Sequence, residues 1–377
     1  MRNKNNKQEI IPLCIPNISG NEWKYIKDCL DTNWVSSVGK YVNKFEQSLS
    51  KYVGTKYAVA CTNGTSALHI SLLVAGIGAG DEVLVPTLTF VAPANAIRYT
   101  GAHPVFIDVQ ADTWQLDPKK VEEFINDGCI RYKNKLFNRK TKRIIKAILP
   151  VHILGQPVDM DPILNLAKKF KLKVIEDATE SLGAVYKGKK TGTLSDIACF
   201  SFNGNKIITT GGGGMLVTNN REYSDKARYL TTQAKDDDLE YIHNEIGYNY
   251  RLSNIQAAMG LAQMEQLDEF IANKRNIAKY YYKNLRDIEG ISFAAVAERI
   301  EPIYWLSTIL VNKDKFGINS RQLLAKLNDK GIQSRPFWHP LYSQKPFKDC
   351  YAYNIEVADR LYRDGLSLPS STDLKRK

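Results

Sequence analysis

Between residues 57 and 218 the chain alternates short apolar, β-branched runs with longer stretches in which apolar positions recur at helical spacing. The runs Tyr57–Ala60, Glu82–Val85, Pro104–Asp108, Ile144–Val151, Leu172–Glu176, Ile197–Phe202 and Met215–Thr218 read as strands. Thr65 to about Ile77, Ala92 to Thr100, a segment starting near Asp117-Pro118, and Asp159 to Lys171 read as helices. Strand and helix in turn imply an α/β fold, a mostly parallel sheet with helices on both faces. The pattern changes at Ser253. Ser253 with Gln256 three residues on fits a capping box, and one long helix is expected to run from there to about Arg286. The remainder mixes a strand (Tyr304 to Val311) with a helix (Ser320 to Lys330). Three parts are expected: a large domain over 11–252, a connecting helix over 253–286 and a smaller α+β domain over 287–377, with residues 10–30 packed beside the last.

Composition narrows the class. A chain of 377 residues, 44% hydrophobic, can bury a large core and a second, smaller one. The first ten residues are polar and basic, and no stretch approaches the roughly 20 apolar residues of a membrane span, so a soluble cytoplasmic protein is expected. The six cysteines stand singly and the five histidines are scattered, which points to reduced thiols and no zinc site. The net charge of +12 admits nucleic acid or anionic small molecules as partners. The densest basic stretch, Arg131 to Lys146, lies between a helix-like and a strand-like segment and reads as an exposed loop or hairpin, with no nucleic-acid motif behind the charge.

Candidate chemistry gathers at strand ends, where ligands bind in open α/β sheets. Cys61-Thr62-Asn63-Gly64-Thr65-Ser66 places glycine and hydroxyls at a helix N-terminus, either an anion site or an ordinary cap. Asp177 follows an apolar strand, where a carboxylate is costly unless paired. Lys206, in S-F-N-G-N-K-I-I-T-T-G-G-G, is a lone lysine delivered from a strand end into an enclosed place. Gly247-Tyr248-Asn249-Tyr250-Arg251 precedes the long helix. A phosphate cradle, a buried acid and a buried lysine together are what pyridoxal phosphate requires. The rival phosphate motifs are missing: there is no G-x-x-x-x-G-K-[ST], and Gly76-Ile77-Gly78-Ala79-Gly80 precedes a strand instead of following one.

At this point the sequence resembles the DegT-type sugar aminotransferases, within the aspartate-aminotransferase-like (fold type I) enzymes. The likeness rests on N-W-V-S-S-V-G-K near residue 33, T-N-G-T-S-A-L at 62, P-T-L-T-F at 86, I-E-D-A-T-E at 175, S-F-N-G-N-K-I-I-T-T-G-G-G-G-M at 201, G-Y-N-Y-R-L-S-N-I-Q-A-A at 247 and S-R-P-F-W-H-P-L at 334. It implies that Lys206 is the Schiff-base lysine and proton shuttle, and that Asp177 partners the pyridine nitrogen. It implies further that Phe90 stacks on the cofactor, that Gly64, Thr65 and Ser201 hold its phosphate, and that Glu180 lies near its phenolic oxygen. Asn249 matches a position that reaches the other subunit's cofactor, which implies a homodimer. Trp34, Ser36 and Arg335 match positions near a sugar nucleotide, and His339 stands where lysine is frequent.

The resemblance also implies a substrate. Thr209-Thr210-Gly211-Gly212-Gly213-Gly214, where many relatives read T-T-G-E-G-G, is similar to the branch serving bacillosamine or legionaminic acid. The expected reaction is therefore transfer of the amino group of L-glutamate to a nucleotide-linked 4-keto-6-deoxy sugar, UDP-linked with an acetamido group. A GDP-perosamine-type enzyme is the alternative. A 3-dehydratase is disfavoured because those relatives carry histidine in place of Lys206, and a non-catalytic sensor or regulator would not need Lys206, Asp177 and Asn249 together.

Overall fold

The alternation folds, in a computed structural model describing residues 10–237 and 239–374, into a ten-stranded sheet. Its main path runs Tyr57–Cys61, Gly214–Thr218, Ile197–Ser201, Lys173–Asp177, Ile144–Ile148, Asp81–Pro86, His103–Ile107 and Tyr351–Tyr353. Every neighbour pair on this path is parallel except the two made by Gly214–Thr218. Alternate residues enter different cores: Val83 and Val85 join one cluster and Leu84 another, while Ala58 and Ala60 oppose Val59. Burial on both faces is why these strands read as unbroken apolar runs. It also places Cys61, Asp177 and Ser201 along one edge of the sheet, with Gly214 paired to both Cys61 and Ser201.

A second, antiparallel sheet has the order Ile291–Ser292, Ser307–Val311, Gly365–Leu368, Arg335–Pro336. The start of the described chain packs on it: Ile11 bridges Ile332, and Ser370 N–H donates to the Leu13 carbonyl at 2.6 Å. The helix Glu22–Asp31 instead lies against Asn254–Met264. Tyr351–Tyr353 leaves the smaller sheet to extend the large one beside His103–Ile107, with both tyrosine rings on Phe124. Asp108 then accepts the backbone N–H groups of Glu356, Val357 and Ala358 and so caps the helix Val357–Asp364.

Two expectations change. The long helix is two, Asn254–Met264 and Leu267–Leu285. No proline or glycine marks the break. It is held by side chains: Glu265 accepts from Asn21 and Tyr25, and Gln263 and Gln266 both donate to Glu22. These contacts are tertiary and invisible to local pattern. The Ser253 cap forms, but the Gln256 amide donates at 2.7 Å to the carbonyl of Gly212, tying the glycine block to the helix. The basic stretch takes the second of the two forms expected for it, a hairpin, Cys129–Tyr132 with Lys135–Asn138, turning at Lys133 and Asn134 with φ of 45° and 60°. Among the described residues, no helix is long and apolar enough to cross a membrane.

Candidate active site

Beyond the edge that carries Cys61, Asp177 and Ser201 lies a cleft of about 610 Å³. Gly64 opens the helix Gly64–Val74, whose Asn63 cap accepts the Ser66 N–H at 2.8 Å. The first helical N–H groups have no carbonyl within the helix to bond, and the helix dipole adds positive potential there. A Cβ at Gly64 would stand 2.8 Å from the Ser201 Cβ and 3.4 Å from the Thr179 methyl. Glycine therefore lets three strand-end segments close on one small concavity, where Gly64, Thr65 and Ser201 line the cleft together.

Bonded to Thr179, which lines the cleft, is a buried acid. Asp177 ends its strand only 2% exposed, with Oδ1 accepting the Thr179 N–H at 3.1 Å. Burial pushes its carboxyl above the ordinary aspartate range, against the pull of Thr179, Lys206 and His152. A carboxylate so placed gains most from a cation brought to it.

Lys206 projects from the loop after Ile197–Ser201. Its Nζ lies 3.4 Å from Oε1 of Glu180 and 4.1 Å from the centre of the Trp305 ring. Glu180 is buried, and burial raises its pKa, with Lys206 the main opposing influence. Its other oxygen accepts the Leu154 N–H at 2.8 Å. Leu154 has φ of 59°, a left-handed conformation that costs a non-glycine residue of order 1–3 kcal/mol. The neighbouring Gly155 holds the turn closed, since a Cβ there would reach within 2.9 Å of the Trp305 nitrogen. Ile303 N–H donates to the Gly155 carbonyl and Trp305 N–H to that of Leu154, both at 2.9 Å. The segment bearing Trp305 is thus clamped to the turn that holds Glu180.

Of the residues singled out in the sequence, Gly64, Thr65, Phe90, Glu180, Ser201, Lys206 and Arg335 line this one cleft, with Asp177 enclosed behind it. Phe90 is 55% exposed, a ring standing free at the mouth. Arg335 is exposed, its guanidinium bonded to the Ser334 carbonyl. Four others lie elsewhere. Trp34 lines a separate pocket with Asp28, Lys40 and Asn254, and the Ser36 carbonyl accepts the Asn254 N–H. Asn249 is exposed beside Thr232. His339 turns to Ser343 and packs edge-on against Tyr362, away from the cleft, because the helix Val357–Asp364 offers it an aromatic face.

Sequence reasoning missed Trp305, Trp338, Cys14 and the His152–Gly155 turn. Trp305 and Trp338 stack with an interplanar angle of 8° and wall the cleft opposite Lys206. A tryptophan ahead of a strand carries no signal of its own. Ligand atoms of His103, Asp349 and Cys350 come within 4.8 Å of one another, although Arg98 already bonds His103 and Asp349. All six cysteines are free thiols. A second cavity, about 670 Å³, lies between Leu267–Leu285 and the small sheet; aliphatic and aromatic side chains form most of its wall, with Asn273, Asn276, Thr372 and Asp373 among them and no lysine.

The residues present fit pyridoxal phosphate: a concavity that a single methyl group would fill, a desolvated carboxyl and an enclosed lysine held against a second carboxylate. Comparison with known proteins agrees. A model of the DegT/DnrJ/EryC1/StrS aminotransferase family matches residues 16–377. The chain is 41% identical over 365 residues to the GDP-perosamine synthase of Caulobacter vibrioides, covering 97% of this chain and 94% of that one. It is 41% identical over 367 residues to the GDP-perosamine synthase of Escherichia coli O157:H7, covering 97% and 95%. The solved structure of S. venezuelae DesV in complex with a ketimine intermediate superposes with a TM-score of 0.84 at 29% identity, covering 94% and 90%. These relatives do not single out the acetamido-sugar branch suggested by the glycine block; they favour the GDP-linked alternative. The chain has the fold type I architecture and belongs to the DegT/DnrJ/EryC1/StrS family of pyridoxal-phosphate-dependent sugar aminotransferases.

Proposed function

We propose that this chain transfers the amino group of L-glutamate to carbon 4 of a GDP-linked 4-keto-6-deoxy sugar, a perosamine-type reaction. The reaction class is carried by the Lys206 amine, held in the cleft between Glu180 and Trp305. The guanosine nucleotide is supported by the two GDP-perosamine synthases that align with nearly the whole chain.

When bound, pyridoxal phosphate supplies an electron-poor ring that accepts charge from the substrate carbon and carries the amino group between the two substrates. Gly64, Thr65 and Ser201 would hold its phosphate, Asp177 its ring nitrogen and Glu180 its phenolic oxygen, with Phe90 against its face. The Lys206 amine would anchor it and would take up and return the proton at the reacting carbon. Trp305 and Glu180 keep that amine in the cleft. Arg335 at the rim offers a planar guanidinium to the diphosphate.

The active unit in this reading is a homodimer. Trp23, Trp34, Val38 and Ile246 are exposed large apolar residues, at 81%, 56%, 63% and 85%. His69, 4% exposed and ringed by Tyr99, Tyr248 and Tyr250, has neither ring nitrogen bonded to a described residue. In this reading a second copy covers these exposed residues and brings Asn249, Trp34 and Ser36 to its partner's cleft.

The test is spectral. Purified protein reconstituted with pyridoxal phosphate should show a visible band that L-glutamate converts to a shorter-wavelength one. GDP-4-keto-6-deoxymannose should then restore the original band, and the UDP-linked acetamido ketosugar should not. Restoration by the UDP sugar alone would overturn the GDP reading, and no band at all would overturn the aminotransferase reading.

A further inference from the structure

A second lysine lies near the first and has no part in the reaction as described. Lys274, on the helix Leu267–Leu285, is 1% exposed. Its Nζ donates to the Trp305 carbonyl at 2.8 Å and to the Ser370 carbonyl, and lies 3.3 Å from the Cys14 sulfur. Those partners are two carbonyls and a thiol; no carboxylate is among them. Burying an ammonium group among neutral partners is costly, and burial lowers the Lys274 pKa accordingly. A methionine of similar length would fill the same space without that cost, so the position calls for a reason.

The reason lies in where the three partners lead. The Trp305 indole Nε1 donates to the Asn205 carbonyl at 2.7 Å, and the Cys14 thiol donates to the same oxygen at 3.3 Å. Asn205 immediately precedes Lys206. The Trp305 ring lies against the Lys206 Nζ, and its backbone N–H holds Leu154, whose own N–H holds Glu180. Ser370 adds a third strut: its N–H donates to the Leu13 carbonyl and its Oγ accepts the Ser307 N–H. One amine therefore ties the segments around residues 14, 305 and 370 at the point where they meet the Lys206 loop.

We propose that Lys274 is a positioning residue for the Lys206 amine: through Trp305 and Cys14 it fixes the Asn205 carbonyl, and with it the loop from which Lys206 projects. This rests on the reading of Lys206 as the working amine of an aminotransferase. Lys274 touches neither cofactor nor substrate in this account. It acts by setting where the Lys206 nitrogen stands, and small errors there are amplified in rate.

The test uses Lys274→Met, Lys274→Gln, Trp305→Phe and the Lys274→Met/Trp305→Phe double variant. In the cofactor-free full chain, modification of Lys206 by trinitrobenzenesulfonate is followed by peptide mass, with exposed Lys24 as internal reference. Lys274→Met should change the Lys206 rate about threefold or more relative to Lys24, and Lys274→Gln, which keeps N–H donors, should recover part of it. In the reconstituted enzyme Lys274→Met should lower kcat about tenfold with the glutamate KM within about twofold. In the Trp305→Phe background it should cost less than about twofold more, because both changes release the same carbonyl. A fall in melting temperature with kcat per bound cofactor and Lys206 reactivity unchanged would make the lysine purely structural and overturn the proposal. Full additivity in the double variant would overturn it too. If Lys274→Met does not fold, Trp305→Phe decides alone, and unchanged Lys206 reactivity in it counts against the proposal. A wild-type protein that forms no visible band sinks the aminotransferase reading, while the modification rates still decide the role of Lys274.

Discussion

The two enclosed lysines, Lys206 and Lys274, solve the same electrostatic problem differently. Lys206 sits on a loop at a strand end, faces Glu180 and an aromatic ring, and lines an open cleft. Lys274 sits on a helix, faces two carbonyls and a thiol, and is sealed from solvent. One has a carboxylate partner and space beside it; the other is bonded to two carbonyls and a thiol and has no space. A lysine that must exchange protons and partners needs the first setting. A lysine that only ties segments together is served by the second.

The contrast is sharpest in the largest expected effect. Lys206→Ala should abolish the visible band of the reconstituted enzyme and reduce turnover by about 10⁴-fold or more, since anchoring and proton transfer are lost together. Lys274→Met should keep the band. A Lys206→Ala enzyme that retained turnover would show that the cleft lysine is not the working one. Next comes the cradle. Gly64→Ala forces a methyl to within 2.8 Å of the Ser201 Cβ, into the space where the phosphate would lie. Pyridoxal phosphate affinity, measured by titrating the visible band, should weaken by about tenfold or more, as one misplaced side chain displaces several N–H contacts. Unchanged affinity would remove Gly64 from the phosphate site. Glu180→Gln keeps the shape of the side chain and its bond to Leu154 but removes the charge opposite Lys206. It should lower kcat by about tenfold while the bonds from Lys274 to the Trp305 and Ser370 carbonyls stay in place.

These effects mark what a chain pattern can and cannot carry. The parallel sheet was legible because strands such as Lys173–Asp177 and Ile197–Ser201 are buried on both faces and bracketed by glycine or polar turns. Lys206 and Asp177 were legible because each is a charge stranded after an apolar strand. Gly64 was legible as part of a helix N-terminus, though its necessity appears only in the approach of Ser201, a contact across 137 positions of sequence from 64 to 201. Lys274 was not legible at all. It lies in a helix whose neighbours, Asn273 and Arg275, are polar too, and nothing local says that this one lysine points inward. Trp305 and Cys14 are similar cases: their partners come from residues far along the chain. The break at Glu265 and Gln266 was missed for the same reason, being held by Asn21, Glu22 and Tyr25.

The smallest expected effect is the one in which the two regions should differ in sign. Burial raises the pKa values of Glu180 and Asp177 and lowers that of Lys274. For Glu180, faced by Lys206 and Asp177, the folded state holds its proton more tightly than the unfolded chain does. Stability from this group is therefore full below the ordinary value of 4.5 and falls as pH rises through the elevated folded value. For Lys274, faced by the Cys14 thiol, the unfolded chain binds the proton more tightly. Stability here is weakest at pH values below the depressed folded pKa and grows as pH rises toward 10.5. Denaturant unfolding of cofactor-free protein across this range should show wild type losing ground to Glu180→Gln as pH rises from the acid end. It should gain ground on Lys274→Met as pH approaches the alkaline end. Subtracting each variant cancels the many exposed groups that titrate alike in both. Slopes of the same sign in the two subtractions would mean that the lysine tied to carbonyls shares the electrostatics of the cleft, and the division between a working and a tying lysine would fail.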